Sequence, residues 1–278
     1  MRLGEVNSLT VLRFTSVGAY LGDDLDNDVL LPNKYITDDL QEGDLTDVFL
    51  YRDSEDRIVA TTERPLIELN GFAFLKAKEV TFFGAFVDWG LEKDLLIPFK
   101  EQNLKLEEDR YYLTYLYLDE STDRLVGSTK VNKYIQECQE PFEVNDEVEL
   151  LICENTDLGL KVIVNNRYSG LIFNNFISRP VKRGDYTKGY IQKVREDGKL
   201  DVTLEITGFT RITESAEKLL AILKKNNRLA INDKSDPELI RETVGMSKKT
   251  FKQAVGGLYK ERLIELADGG INYIGPKD

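Results

Sequence analysis

Residues 82–98 read FFGAFVDWGLEKDLLIP, and residues 16–32 read SVGAYLGDDLDNDVLLP. The two stretches align without a gap, matching Gly18 with Gly84, Ala19 with Ala85, Leu25 with Leu91, Asp28 with Asp94, Leu30 with Leu96 and Pro32 with Pro98. A fainter third copy, DLGLKVIVNNRYSGLIF, occupies residues 157–173, and its Gly159 precedes Phe173 by the spacing that separates Gly18 from Pro32 and Gly84 from Pro98. An internal repeat constrains the architecture before any single residue does. After its core stretch each copy runs on through a polar turn into a strand pair: LQEGDLTDVFLYRDSEDRIVATT, LKLEEDRYYLTYLYLDESTDRLVGST and VKRGDYTKGYIQKVREDGKLDVTLE.

Those endings are hairpin signals, with an apolar strand, a turn such as RDSED, DESTD or REDG, and a short alternating strand. Each copy therefore offers about five short strands over roughly 65–75 residues, the size of a small closed barrel. Short strands in an open sheet would leave their edge amides unpaired, and closure removes those edges. The predicted fold is multidomain and mainly β. Three consecutive five-stranded barrels span 1–66, 67–140 and 141–212, followed by an α/β module over 213–278.

In that last segment the period changes. ESAEKLLAILKKN places Ala216, Leu219, Leu220 and Leu223 on one helical face. A second helix is expected from Asp236 as N-cap and Pro237 at its first position to a stop at Gly245. A third is expected after Ser247, with Phe251, Val255 and Leu258 apolar. LIELADGGINYI reads as two strands around Asp268-Gly269-Gly270. Gly256 and Gly257 weaken the third helix by roughly 1 kcal/mol each relative to Ala, for which close packing against the second helix is the expected reason.

Composition narrows the function classes. The chain has 278 residues and 41% apolar content, so two or more domains are expected. No apolar run reaches the roughly 18 residues of a membrane span, and the N-terminus lacks a secretory pattern, so the expected location is cytoplasmic, with no membrane partner. Cys138 and Cys153 have no metal-ligand spacing and are expected as free, buried thiols. Histidine is absent, which excludes Ser-His-Asp and Cys-His nucleophile systems. Neither a phosphate-binding G-x-x-x-x-G-K-[ST] loop nor a G-x-G-x-x-G is present. With 49 acidic residues, carboxylate pairs arise by chance, so spacing supports no glycosidase couple. No enzyme activity, cofactor or metal is expected.

The order aromatic-Gly-Ala-aromatic-Val, then Leu-Ile-Pro, then Gly-Asp before a strand, then Asp-x-x-x-Arg-Ile resembles the S1-type RNA-binding domain, an OB-fold barrel. The resemblance implies a binding face made by Phe83, Phe86, Asp119 and Arg124 in the second copy. In the first copy it implies Tyr20, Asp53 and Arg57, with Val17 at the first ring position. In the third it implies Lys161 and Lys199, with Leu158 at that position. In a regular strand Phe83 and Phe86 would point to opposite faces, so a bulge or bend at Gly84 is expected to bring them together. Val17, Phe82 and Leu158 themselves read as core. Arg57 and Arg124 could instead pair with their neighbouring acids, Asp53 and Asp56 or Asp119 and Asp123, and that alternative stays open.

The C-terminal helices and hairpin resemble a winged helix-turn-helix domain, in which the third helix would present Lys248, Lys249, Thr250, Lys252 and Gln253. Three S1-type barrels followed by a winged helix resemble the bacterial conserved-virulence-factor-B family of RNA-binding regulators. That resemblance implies non-catalytic binding of single-stranded RNA, with a regulatory output on gene expression and virulence.

Charge refines where binding is expected. The net charge is -12. Residues 1–66 hold six basic and fourteen acidic residues, 67–140 nine and fourteen, 141–212 ten and eleven, and 213–278 twelve and ten. Phosphate affinity follows local positive potential, so contacts are expected mainly in 141–278, through Lys161, Tyr190, Arg195 and Lys199 together with the lysines of the third helix. Phe173 and Tyr186 are interleaved with those cations. Two other partners remain open: duplex DNA or RNA on the winged helix, and a protein partner for the acidic N-terminal half.

Overall fold

The computed structural model describes residues 1–23, 27–206, 214–260 and 263–275. The first barrel consists of β1 (Val6–Thr15), β2 (Gly18–Gly22), β3 (Asp28–Pro32), β4 (Leu45–Arg52) and β5 (Ile58–Thr61). Its strands run in the order β1-β2-β3-β5-β4, and β1 pairing with β4 closes the ring. The second unit has β6 (Phe72–Val80), β7 (Gly84–Asp88), β8 (Leu95–Pro98), β9 (Tyr111–Asp119) and β10 (Arg124–Ser128). The third has β11 (Glu147–Thr156), β12 (Gly159–Val164), β13 (Tyr168–Phe173), β14 (Tyr186–Val194) and β15 (Leu200–Thr203), again closed.

The second unit departs from the expected closure. Its sheet runs β10-β9-β6-β7-β8, and β8 and β10 lie side by side without ladder hydrogen bonds. The local reason is steric. Gly127 on β10 leaves room for the side chains of Leu95 and Ile97, which a Cβ at that residue would meet at 3.2 and 2.7 Å. Side chains, rather than backbone bonds, fill this seam.

In each unit the first strand carries a bulge, between Val11 and Arg13, Ala77 and Glu79, and Ile152 and Glu154. The extra residue bends the strand, so its two halves can serve different neighbours. The three aligned glycines are direct register partners of the aligned closing residues: Gly18 with Pro32, Gly84 with Pro98 and Gly159 with Phe173. A Cβ there would stand 2.1, 2.5 and 2.0 Å from the carbonyl oxygens of Leu31, Ile97 and Ile172. No side chain fits such an approach.

The barrels are not beads on linkers. Trp89 is buried at the first junction, with its ring edge-on to Phe49 at 5.8 Å and Tyr51 at 6.4 Å, so one apolar core spans the first two units. A second cluster of Phe72, Tyr115, Leu151 and Ile163 joins the second unit to the third. There the Tyr186 hydroxyl donates to the Phe72 carbonyl oxygen at 2.7 Å, and the Asn166 side chain accepts from the Phe72 N–H at 2.8 Å. Cys138 and Cys153 are free thiols; Cys138 is buried and Cys153 packs against this second cluster.

The C-terminal module holds α1 (Glu214–Asn226), β16 (Arg228–Leu229), α2 (Pro237–Val244), α3 (Lys248–Lys260), β17 (Ile264–Ala267) and β18 (Gly270–Tyr273). Asp236 caps α2 by accepting from the Glu238 N–H at 2.8 Å, and Gly245 ends it in the left-handed region with φ 69°. The two-residue β16, which adds a third strand to the hairpin, is too short to leave a periodic signal in sequence. Leu219, Leu223, Ile240, Phe251 and Leu258 are wholly buried in its core.

One expectation fails here. Gly256 and Gly257 do not pack against α2, because a Cβ on either would meet nothing within 4 Å. Gly256→Ala should therefore stabilise the protein by about 1 kcal/mol through helix propensity alone. Gly159→Ala, which drives a methyl into the Ile172 carbonyl, should cost about 2 kcal/mol or more. Urea midpoints at fixed slope read both signs. Burial pushes the Cys153 thiol up to about 12, so its thiolate is on the order of a thousandfold scarcer than that of an ordinary thiol. It should resist a thiol reagent at pH 8 in the native protein and react promptly in denaturant.

Candidate nucleic-acid interface

A single device recurs at the tip between the first and second strands of every unit. The residue before each aligned glycine is Val17, Phe83 or Leu158. Its carbonyl oxygen accepts from the N–H of Asn33, Phe99 or Asn174, at 3.3, 3.4 and 3.1 Å. Each of those residues opens a short 3-10 turn after the third strand. A threonine hydroxyl adds a second tie: Thr15 to the Gly18 carbonyl at 2.8 Å, Thr81 to Gly84 at 3.1 Å and Thr156 to Gly159 at 2.8 Å. Asn33 and Asn174 also donate from their side chains to the Ser16 and Asp157 carbonyls, both at 2.8 Å.

This backbone clamp overturns the core assignment of three residues. Val17 is 56% exposed, Leu158 66% and Phe82 91%. The alternation that suggested burial does not apply, because all three precede the strand rather than lie in it. Of the bulge or bend expected at Gly84, the structure has the bend, at Phe82 and Phe83 directly before it. Phe83 stands in the bend before β7 and Phe86 within it, and their rings meet edge to face at 5.7 Å. Both rings do share one face, and Phe82 extends the cluster at 4.6 Å from Phe83.

The charged residues proposed for the barrels are nearly all engaged. Arg57 binds the Asp53 carboxylate through two nitrogens, at 2.9 and 2.7 Å, and reaches Glu55 at 2.9 Å. Burial raises the Asp53 pKa, but the Arg57 guanidinium and the N–H groups of Arg57 and Glu55 hold it below the usual carboxylate value. Arg13 covers the Tyr20 ring at 4.2 Å while binding Asp28, so that ring has one face occupied. Asp119 accepts from the Ser121 N–H and hydroxyl, which hold its carboxyl below the ordinary value, and Lys100 lies 3.7 Å away. Arg124 pairs with neither Asp119 nor Asp123. It crosses to Asp56 of the first barrel, at 2.9 and 3.2 Å.

In the third unit, Leu158, Lys161, Arg195 and Lys199 line one cleft of about 420 Å³. Lys161 pairs with Glu154 at 3.0 Å, Lys199 with Asp197 at 2.7 Å, and Arg195 with Asp201 while lying 5.5 Å over the Phe173 ring. Tyr190 lies elsewhere, on β14 opposite Glu147 and Thr203. Other cations of this unit serve the fold: Arg167 binds Gln136 and Glu140, Arg183 covers the Phe74 ring at 4.7 Å, and Lys188 holds Glu147.

The winged helix is different. Lys249, Lys252 and Gln253 are exposed on α3, and neither lysine has a carboxylate partner among the described residues. The same holds for Lys224, Lys225, Arg228 and Lys234 around them. Lys248 is not part of that free set, because its ammonium donates to the Ser235 carbonyl at 2.9 Å. The Thr250 hydroxyl is shared with Ser247 at 2.7 Å. Among the described residues no cluster of three or more metal-ligating side chains exists, and no helix is long and apolar enough to cross a membrane.

Known families carry the same two parts. The S1 domain model matches residues 3–63, the first barrel, and a CvfB-like winged helix domain model matches residues 217–272. The chain is similar to CvfB-like proteins in both parts. It is 28% identical to YitL of Bacillus subtilis over 97% of this chain and 93% of that protein. It is 25% identical to conserved virulence factor B of Staphylococcus haemolyticus, over 84% of this chain and 81% of that protein. A crystal structure of a multidomain protein with nucleic acid binding domains from Streptococcus pneumoniae aligns over 98% of both chains, at 22% identity and TM-score 0.40. S1 and winged-helix domains are nucleic-acid-binding types, and the two matches support that functional class for this chain.

The clamp yields a direct expectation. Asn174→Ala removes the side-chain bond to the Asp157 carbonyl and leaves the Asn174 N–H bond to Leu158. It should cost about 1 kcal/mol in a urea titration without changing the circular dichroism of the barrels.

Proposed function

We propose that the protein binds single-stranded RNA without catalysis and that this binding regulates gene expression. The observation that carries the reading is the contrast in cation pairing. The barrel cations expected to bind, Arg57, Arg124, Lys161, Arg195 and Lys199, are each held by a carboxylate, whereas Lys249 and Lys252 of α3 have no carboxylate partner among the described residues. Phosphate contacts release condensed counterions in proportion to the cations that are free to make them. The winged helix therefore supplies electrostatic grip, and the exposed rings of the second unit supply stacking for unpaired bases, worth roughly 1–3 kcal/mol per base. Stacking rings need bases that are not already paired, which favours a single strand over a duplex. The third barrel contributes less than its basic content suggests, because Lys161, Arg195 and Lys199 already hold acids.

Titration of the intact chain against single-stranded RNA, single-stranded DNA and duplex DNA at two salt concentrations tests this reading. Lys249→Ala with Lys252→Ala should lower the salt slope by roughly 0.7 per lost contact, about 1.4 in all. Lys161→Ala with Lys199→Ala should lower it less. A slope near zero for the intact chain would remove nucleic-acid binding altogether. Preference for duplex DNA over single-stranded RNA would assign the protein to transcriptional control through α3.

A further inference from the structure

The junction of the first two barrels contains a cleft that the repeat pattern does not anticipate, because its walls come from both. It measures about 360 Å³, within the roughly 300–1,000 Å³ of small-ligand pockets. One wall is apolar, formed by Phe83, Phe86, Leu96 and Val126 beside the open seam between β8 and β10. The opposite wall is the β4–β5 hairpin of the first barrel, with Arg52, Ser54 and Asp56.

Three cations converge on this cleft, and their partners differ in kind. Arg52 is fully committed: it donates to the carbonyl oxygens of Asp123 and Asp56 at 2.9 and 2.8 Å and binds the Asp123 carboxylate. It thereby holds the hairpins of the two barrels together. Lys93 is partly buried, and its ammonium donates to one backbone oxygen, that of Asp53, at 2.6 Å, with no carboxylate bound. Desolvation lowers its pKa, the mark of an ammonium short of compensating charge. Arg124 is exposed and is held by the exposed Asp56 carboxylate, an interaction that solvent screens. A carboxylate bound through two nitrogens to a guanidinium occupies the place and geometry that a phosphate would take.

We propose that Asp56 of the first barrel competes for the second unit's S1-type binding face: it holds Arg124 until the phosphate of an unpaired nucleotide, whose base lies against Phe86 and Leu96, takes its place on Arg124 and Lys93. Asp56 is then a latch: the first barrel lends an acid that the nucleic acid displaces. The latch rests on the single-strand reading above and on the face that the S1 resemblance implies, and adds a competitor to them. The neighbouring acid Asp94 does not oppose the phosphate, since Lys78 holds it at 2.8 Å.

Trp89 is the only tryptophan in the chain, it lines this cleft, and its indole N–H donates to the Lys93 carbonyl at 2.6 Å. Its emission therefore reports on this cleft alone. The intact chain is titrated with hexauridylate and hexaadenylate, following Trp89 emission and the anisotropy of labelled oligonucleotide in parallel, with uridine and inorganic phosphate as separate arms. The two signals should saturate together, and neither uridine nor phosphate alone should match the oligonucleotide. Phe86→Ala should abolish the emission change, and Arg124→Gln should weaken binding several-fold. Asp56→Asn should tighten it several-fold. Asn is well suited to the φ of 67° at that residue, so the variant keeps its turn. Asp38→Asn, which makes the same charge change on an exposed residue of the first barrel, should not tighten it. Anisotropy that rises while Trp89 emission stays constant would overturn the cleft and leave RNA binding standing. Equal gains from Asp56→Asn and Asp38→Asn would overturn the latch, and equal response to inorganic phosphate would overturn a nucleotide site. No anisotropy change with any oligonucleotide would overturn the cleft and the single-strand reading together.

Discussion

Each barrel is organised around a backbone contact too close for any side chain. Gly18, Gly84 and Gly159 lie against the carbonyls of Leu31, Ile97 and Ile172 at separations where a methyl would overlap oxygen. That approach lets the second strand start tightly against the third and pins the tip residue's carbonyl over the following 3-10 turn. The exposed side chain at the tip follows from it, and so does the position of the ring pair in the second unit. Strand order, bulge and hairpin then complete a barrel whose exposed tip is set by where the chain is forced to be glycine.

The repeat made most of this legible. The ungapped alignment of 16–32 with 82–98 picked out the glycine and the proline that the structure places opposite each other within each copy, and Asp236, Pro237 and Gly245 marked the ends of α2. Pairwise chemistry across units was not legible. Arg124 lies next to Asp123 in sequence, yet it binds Asp56 of another barrel, and no local pattern encodes that choice. Exposure at the tips was misread for a related reason: Val17, Phe82 and Leu158 carry the residue types of a core but sit outside the strands. Two-residue β16 and the unclosed seam of the second unit lie below the resolution of periodicity.

Net charge proved a poor guide to which surface can hold a polyanion, because ion pairing redistributes it. The third barrel is nearly neutral and rich in lysine and arginine, but Lys161, Lys199, Arg195, Lys188 and Arg167 are tied to Glu154, Asp197, Asp201, Glu147 and Glu140. The winged helix has only a small basic excess, yet Lys249 and Lys252 lie on one helical face with no carboxylate partner among the described residues. What a phosphate meets is the unpaired cation, whose field is not already cancelled within a few ångströms.

The clamp at each tip is built from backbone carbonyls, a threonine hydroxyl and the start of a 3-10 turn, and none of its hydrogen bonds uses an atom of the tip side chain. Stability and surface chemistry are therefore decoupled at that one residue in all three copies. Valine, phenylalanine and leucine already occupy it in a single chain on the same scaffold. The duplicated barrels thus form a set of three sockets of common geometry, in which a contact residue can drift from one copy to the next while the fold beneath it stays fixed.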